Sequence, residues 1–227
     1  MMSGAFEVTP RNRIRRYVDR ARYDKDTIYA ILDAAWVCHV AWVQDNQPKV
    51  VPTLFARRGD TLLIHGSVGS GLLRHLGTGN EVAISVALLD GLVVTKAVAG
   101  LSVNYRSAVV FGRGRWLEGD EKIEALRYLT ERLVPGHWTD TNAPTDKDLR
   151  AVAVAEVAIE SASAKVRTGL PKDGETTRDL PVWAGYVPMG RVMGEPYTMN
   201  YAAGMEVPEP LRELRARWAS PPLLPKE

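Results

Sequence analysis

Hydrophobic positions change their period along this chain, and the changes mark out its elements. Over residues 24–35, Ile28, Ile31, Leu32 and Ala35 recur at helical intervals. They predict an amphipathic helix with Asp26 as its N-cap. From residue 37 the period drops to two. Residues 37–43, 48–57 and 61–65 are rich in β-branched and aromatic side chains, and Asp45-Asn46 and Arg58-Gly59-Asp60 separate them. This reads as a meander of three antiparallel strands, because the connections are too short for crossovers. Residues 67–76 break the alternation, and Leu72, Leu73 and Leu76 predict a short helix. Strands follow at 82–89 and 92–99 with Gly91 as the turn between them, and at 107–116 with bends or bulges at Gly112 and Gly114. Ile123, Leu126, Leu129 and Leu133 give a second amphipathic helix over 120–133, ended by Pro135. The remainder predicts a short helix at 145–150, a strand over 151–159 reaching towards Val166, a polar loop at 169–178, a last strand at 180–187 and a surface helix at 208–219.

Such a chain is mainly β with inserted helices. It lacks the regular βαβ alternation of a doubly wound sheet, so a closed or nearly closed antiparallel barrel is the expected fold. Net charge is +2, from 29 basic and 27 acidic residues. That balance argues against a protein that coats nucleic acid. The single cysteine, Cys38, excludes an internal disulfide and a cysteine-based zinc site, and reads as a buried strand residue. The four histidines show no metal-binding spacing, so no metal is expected; His39 reads as a satisfied barrel residue. The N-terminus lacks a signal-like apolar region and no apolar run is long enough to span a bilayer, so a soluble cytoplasmic protein with no membrane partner is expected. Residues 1–22 form a basic arm carrying Arg11, Arg13, Arg15, Arg16, Arg20 and Arg22. It reads either as a solvated arm over a subunit edge or as an anion or nucleic-acid contact. Residues 23–190 form the barrel domain. Residues 191–227 form an extension with a surface helix and an extended proline-containing tail from 220 to 227.

Four segments could carry chemistry. Residues 63–74 run from a strand through Gly66, Ser67, Gly69 and Ser70 into a helix, with Arg74 one turn on. Serine hydroxyls, backbone N–H groups and a guanidinium in that order can cradle a phosphate, and a flexible helix entry with surface serines is the other reading. The loop contains neither a Walker lysine nor the dinucleotide glycine fingerprint. Asn104 and Arg106 stand at the mouth of a strand and could line a pocket or remain solvated. Lys165 and Arg167 alternate onto one strand face, which reads as a site for a phosphate or acidic partner between them or as an ordinary solvent face. Trp183 and Tyr186 could cover a planar ligand or pack at an interface. No Gly-x-Ser-x-Gly elbow occurs, and nothing indicates a protein nucleophile.

Several short motifs occur together in one order. They are Ala30-Ile-Leu-Asp-Ala34, Cys38-His-Val-Ala41, Gln47-Pro-x-Val-Val-Pro-Thr53, His65-Gly-Ser67, Asn104-Tyr-Arg-Ser107, Leu133-Val-Pro-Gly136, Ser163-Ala-Lys-Val-Arg-Thr-Gly169 and Pro181-Val-Trp-Ala-Gly185. Together they resemble the pyridoxamine-5′-phosphate-oxidase-related family, in its nitroimidazole-reductase-like branch. The resemblance implies a split β-barrel of Greek-key type and a homodimer with FMN in clefts between the subunits. It also implies an FMN-dependent oxidoreductase acting on a small molecule. The phosphate would lie near His65, Ser67, Ser70 and Arg74. Pro52, Thr53 and Leu54 would flank the isoalloxazine, and Asn104, Arg106, Lys165, Arg167 and Trp183 would contribute from later in the chain. A barrel that binds haem or deazaflavin near His65 or His39, and a non-catalytic ligand-binding barrel, are the alternatives.

Overall fold

The computed structural model describes residues 4–218; the tail expected at 220–227 lies outside them. The chain divides into two compact units. The larger holds residues through Leu88, with Arg106–Leu133 and His137–Val166. The smaller holds Leu89–Tyr105, Val134–Gly136 and the described chain from Arg167 on.

In the larger unit, α1 (Lys25–Asp33) buries Ile28, Ile31 and Leu32. Its N-cap is Asp24, not Asp26: Asp24 is extended and its carboxylate accepts the Thr27 N–H at 2.8 Å. A cap must sit outside the first turn to reach that orphan donor, and Asp26 is already inside it. The meander follows as β2 (Val37–Gln44), β3 (Gln47–Arg58) and β4 (Thr61–Ser67). Asp45 and Asn46 both take positive φ, as the tight primed hairpin turn requires. β3 changes partner midway: it pairs with β2 as far as Leu54 and with β4 from Phe55 on.

The other strands are β1 (Ala21–Arg22), β5 (Glu81–Val94), β6 (Ser102–Trp116), β7 (Val152–Ala158) and β8 (Ser161–Arg167). The order is β1-β8-β6-β7-β4-β3-β2-β5, and β5 also pairs with β6, which brings the order back on itself. All the registered pairings are antiparallel. The expected mainly antiparallel β architecture is therefore what the chain adopts, although β6 serves several neighbours and the ring is not a clean barrel. Inside lie Val40, Leu62, Ile64, Ile84, Val110 and Val157, together with the buried side of α2 (Gly71–Gly77). α3 (Gly119–Leu133) closes a second cluster of Ala56, Leu63, Leu117, Ala125, Leu129 and Val154. Two short helices follow, α4 (His137–Asp140) and α5 (Asp146–Ala151), the latter opened by a Thr145/Asp148 capping box.

Two expectations are corrected, and the glycines of β6 gain a physical reason. The strand expected over 151–159 is followed by a separate one: β7 and β8 are distinct, with Ile159 and Glu160 between them. Gly112 and Gly114 are points of close approach: a Cβ at Gly112 would lie 1.8 Å from the Ala158 carbonyl oxygen, and one at Gly114 would lie 2.7 Å from that of Leu76. Gly91 is no turn. β5 runs straight through it, and the Tyr186 ring occupies the space of the missing side chain at 2.4 Å.

In the smaller unit the last residues of β5 pair with β9 (Gly185–Pro188), so the strand expected at 180–187 starts later. Tyr186 donates its hydroxyl to the Asp90 carbonyl at 2.5 Å. Asp173 accepts the N–H groups of Lys96 and Ala97, and Lys96 Nζ donates to the carbonyls of Arg178 and Leu180. The loop expected over 169–178 holds the short α6 (Glu175–Arg178), and α7 (Glu209–Trp218) is the expected surface helix. Among the described residues, no helix is long and apolar enough to cross a membrane.

Two substitutions test these constraints by urea denaturation. Gly112→Ala drives a methyl into a backbone oxygen and costs about 3 kcal/mol or more. Asp24→Ala removes one cap and costs about 1 kcal/mol.

Candidate functional site

The loop from His65 to Arg74 is fixed from beneath and polar above. His65 lies on β4 opposite Val154 of β7, half-buried. Its Nδ1 is buried without a hydrogen-bond partner, and burial pulls its pKa below the ordinary value. The ring is thus neutral at neutral pH and carries one uncommitted nitrogen. Ser67 Oγ accepts the Gly69 N–H at 3.2 Å, and Ser70 Oγ caps α2 by accepting the Leu73 N–H at 3.5 Å. Both contacts use an oxygen lone pair, which leaves each hydroxyl proton for an acceptor outside. Leu72, Leu73 and Leu76 anchor α2 in the core, and Trp116 Nε1 ties it down by donating to the Leu73 carbonyl at 2.7 Å. Arg74 projects from the opposite, exposed side.

Pro52, Thr53 and Leu54 sit where β3 leaves β2 for β4. Residues opposite one another across the hairpin share a face. Pairing His39 with Pro52 and Val37 with Leu54, and Ala41 with Val50, therefore builds one apolar face with a single imidazole in its middle. Val37, Val50 and Leu54 are 46%, 61% and 38% exposed, so this face is left open among the described residues. His39 is exposed on it, which corrects the reading of a satisfied barrel residue: alternation identified two faces but not which one was inside. The other side of β2 carries Cys38, Val40 and Trp42 into the core, with Cys38 buried as expected.

Lys165 lies on β8, where Ser107 Oγ donates to its carbonyl at 3.3 Å. The Ser67–Arg74 loop is attached at the far end of β6, by Trp116. Ser107 and Trp116 lie nine positions apart along β6, about 30 Å of extended strand at 3.3 Å per residue. Lys165 and the Ser67–Ser70 turn are thus attached at different ends of β6. Arg106 neighbours Ser107 on the same strand.

In the smaller unit, Asn104 is buried and bonds in two directions. Its Nδ2 donates to the Gly169 carbonyl at 2.9 Å, and its Oδ1 accepts from Arg167 Nη1 at 2.6 Å. These two predicted residues do meet, and each positions the other. Trp183 is 64% exposed, with its ring edge against Gly185. Sequence reasoning passed over Tyr17, a left-handed residue at φ 54 whose ring draws Arg16, Arg20 and Lys165. The signal was there: an aromatic residue inside a run of arginines.

Comparison with known proteins gives a consistent result. Residues 24–166 match the model of the family described as pyridoxamine 5′-phosphate oxidase. None of the curated proteins matches the chain. Among solved structures, the flavocytochrome Anf3 from Azotobacter vinelandii is 35% identical, covering 90% of this chain and 96% of its own, with a TM-score of 0.83. The FAD- and haem-binding protein from Mycobacterium smegmatis is also 35% identical, covering 89% and 98%, with a TM-score of 0.82. A candidate 5-nitroimidazole antibiotic resistance protein from Bacteroides thetaiotaomicron is 27% identical over 64% of this chain and 86% of its own, at 0.55. With the family model spanning most of the chain and two relatives matching nearly all of it, the chain belongs to the pyridoxamine 5′-phosphate oxidase family.

Proposed function

We propose that this protein binds a flavin and works as a flavin-dependent oxidoreductase on a small molecule, as a homodimer. The observation that carries the reading is the 35% identity, over nine-tenths of the chain, to a flavocytochrome and to an FAD- and haem-binding protein. The family favours FMN and the relative from Mycobacterium smegmatis favours FAD; both end the ribityl chain in phosphate. The residues fit such a group. Ser67 and Ser70 offer hydroxyl protons and Arg74 a guanidinium to the phosphate. His65 offers a buried unpartnered nitrogen, and Pro52 and Leu54 an apolar surface for a flat ring. When bound, a flavin supplies hydride and single-electron transfer, which suits a chain showing no nucleophile of its own. The chain's own part is to bind, orient and keep water from the ring.

One feature supports a homodimer: among the described residues, the apolar hairpin face around His39 is left exposed. A second reading, haem beside the flavin, is favoured by His39, an exposed imidazole centred on a face of Val37, Val50, Pro52 and Leu54. That combination of one nitrogen donor and flat apolar walls suits an iron porphyrin.

An absorption spectrum of the purified protein tests both readings. Two flavin bands are expected, and mass analysis of the released cofactor separates FMN from FAD; a Soret band lost in His39→Ala supports haem. A colourless protein that takes up neither flavin on titration overturns the flavin reading. Arg74→Ala is expected to weaken flavin binding ten- to a hundredfold, the worth of one charge-assisted contact of about 1.5–3 kcal/mol. For His65 the folded pKa lies below the ordinary 6.5, so the unfolded chain takes up the proton first. Its contribution to stability is complete above that value and is lost as pH falls towards the lower folded value. Urea midpoints at about pH 7.5 and about pH 5.5 should therefore converge in His65→Gln relative to the parent.

A further inference from the structure

We infer that the N-terminal arm, with Lys165, is a binding site for the diphosphate of a nucleotide. Residues 10–22 carry six arginines against one carboxylate, Asp19. Arg11 is committed, paired with Glu81 at 2.7 Å and lying over the Phe111 ring at 4.3 Å. Among the described residues, Arg13, Arg15, Arg16, Arg20 and Lys165 enter no ion pair.

Three of these cations converge. Arg20, Lys165 and Arg16 stand 4.2, 5.3 and 5.9 Å from the centre of the Tyr17 ring. An aromatic face attracts a cation but does not neutralise it, so three around one ring repel one another until an anion joins them. Lys165 is held there by the pairing of Ala21 with Lys165 across β1 and β8, so the cluster belongs to the folded sheet. Tyr17 is 55% exposed and sits at φ 54, a conformation an ordinary side chain adopts at a cost and one concentrated at functional positions.

Beside the cluster, Val8, Arg13, Ile14, Arg15, Val18 and Tyr23 line an open groove of about 600 Å³. Tyr23 fixes its floor by accepting the Ile14 N–H at 2.9 Å. Guanidiniums for phosphate oxygens, an exposed ring for a base and apolar walls of small-molecule size together describe a nucleotide. A membrane surface fits less well: the cations gather on one ring instead of spreading over a face, and the chain's net charge is only +2. The diphosphate can arrive on a free nucleotide or as the tail of a dinucleotide such as FAD. The first source is independent of the flavin reading and the second rests on it.

Isothermal titration of the purified full-length protein with ADP tests the first source. FAD and FMN titrations test the second, on the parent and on Arg16→Ala/Arg20→Ala and Tyr17→Gly. The glycine removes the ring while suiting the positive φ. Two results support the site. ADP binding in the parent that weakens about tenfold or more in both variants indicates a free nucleotide. FAD affinity that falls by a similar factor while FMN affinity stays unchanged indicates the dinucleotide tail. The site is overturned if neither ADP nor FAD affinity differs between parent and variants. It is also overturned if FMN falls equally with FAD, or if anionic phosphatidylserine vesicles bind the parent while neither ADP nor FAD does. The ADP titration still reads the site if the protein proves to bind no flavin.

Discussion

The larger unit depends on backbone approaching backbone along β6. This strand bonds to β7 near its end and lies against β8 nearer its start, and α2 presses on it from the side. Such crowding is possible only where a side chain is missing. At Gly112 the Ala158 carbonyl fills the space a methyl would take, and at Gly114 α2 does the same. The approach at Gly114 seats the helix that follows the Ser67–Ser70 turn, and Trp116 then locks it with one indole hydrogen bond. The geometry of the candidate phosphate site is thus inherited from two absent side chains some forty residues away in sequence.

The candidate site has two surfaces of opposite character, and the change of partner in β3 separates them. Before Leu54 the strand belongs to a hairpin with an uncovered apolar face; after it, the strand enters the core beside β4. One surface suits a flat, weakly polar ring and the other a phosphate. The smaller unit uses polar groups differently. Asn104, Arg167 and Gly169 satisfy one another, and Asp173 and Lys96 fasten their loops, so these groups build a scaffold in which each fixes the next.

Much of this was legible in the sequence because it is local. The meander over 37–65 follows from alternation and from Asp45-Asn46 and Gly59, whose conformations depend on neighbours in the chain. The order of motifs revealed the family, since short signals in sequence reinforce one another. What failed was long-range. Gly91 looks like a turn until Tyr186, almost a hundred residues on, is seen filling its space. His39 looked internal because a period of two does not say which face is solvated. Asn104 and Arg167 each read as a site residue, yet their hydrogen bond spans sixty-three residues and no pattern announces it. The separation of Lys165 from Ser67 needed the full strand register.

Cys38 shows what the hairpin's inner side implies. The chain's one thiol is fully buried opposite Thr53, and burial pushes its pKa up to about 12. The thiolate is the form that reacts, so oxidants find no target there while β2 stays in place. The same seclusion makes the sulfur a clock: an alkylating reagent can mark a molecule only during the moments when the barrel opens, and the pace of marking counts those openings.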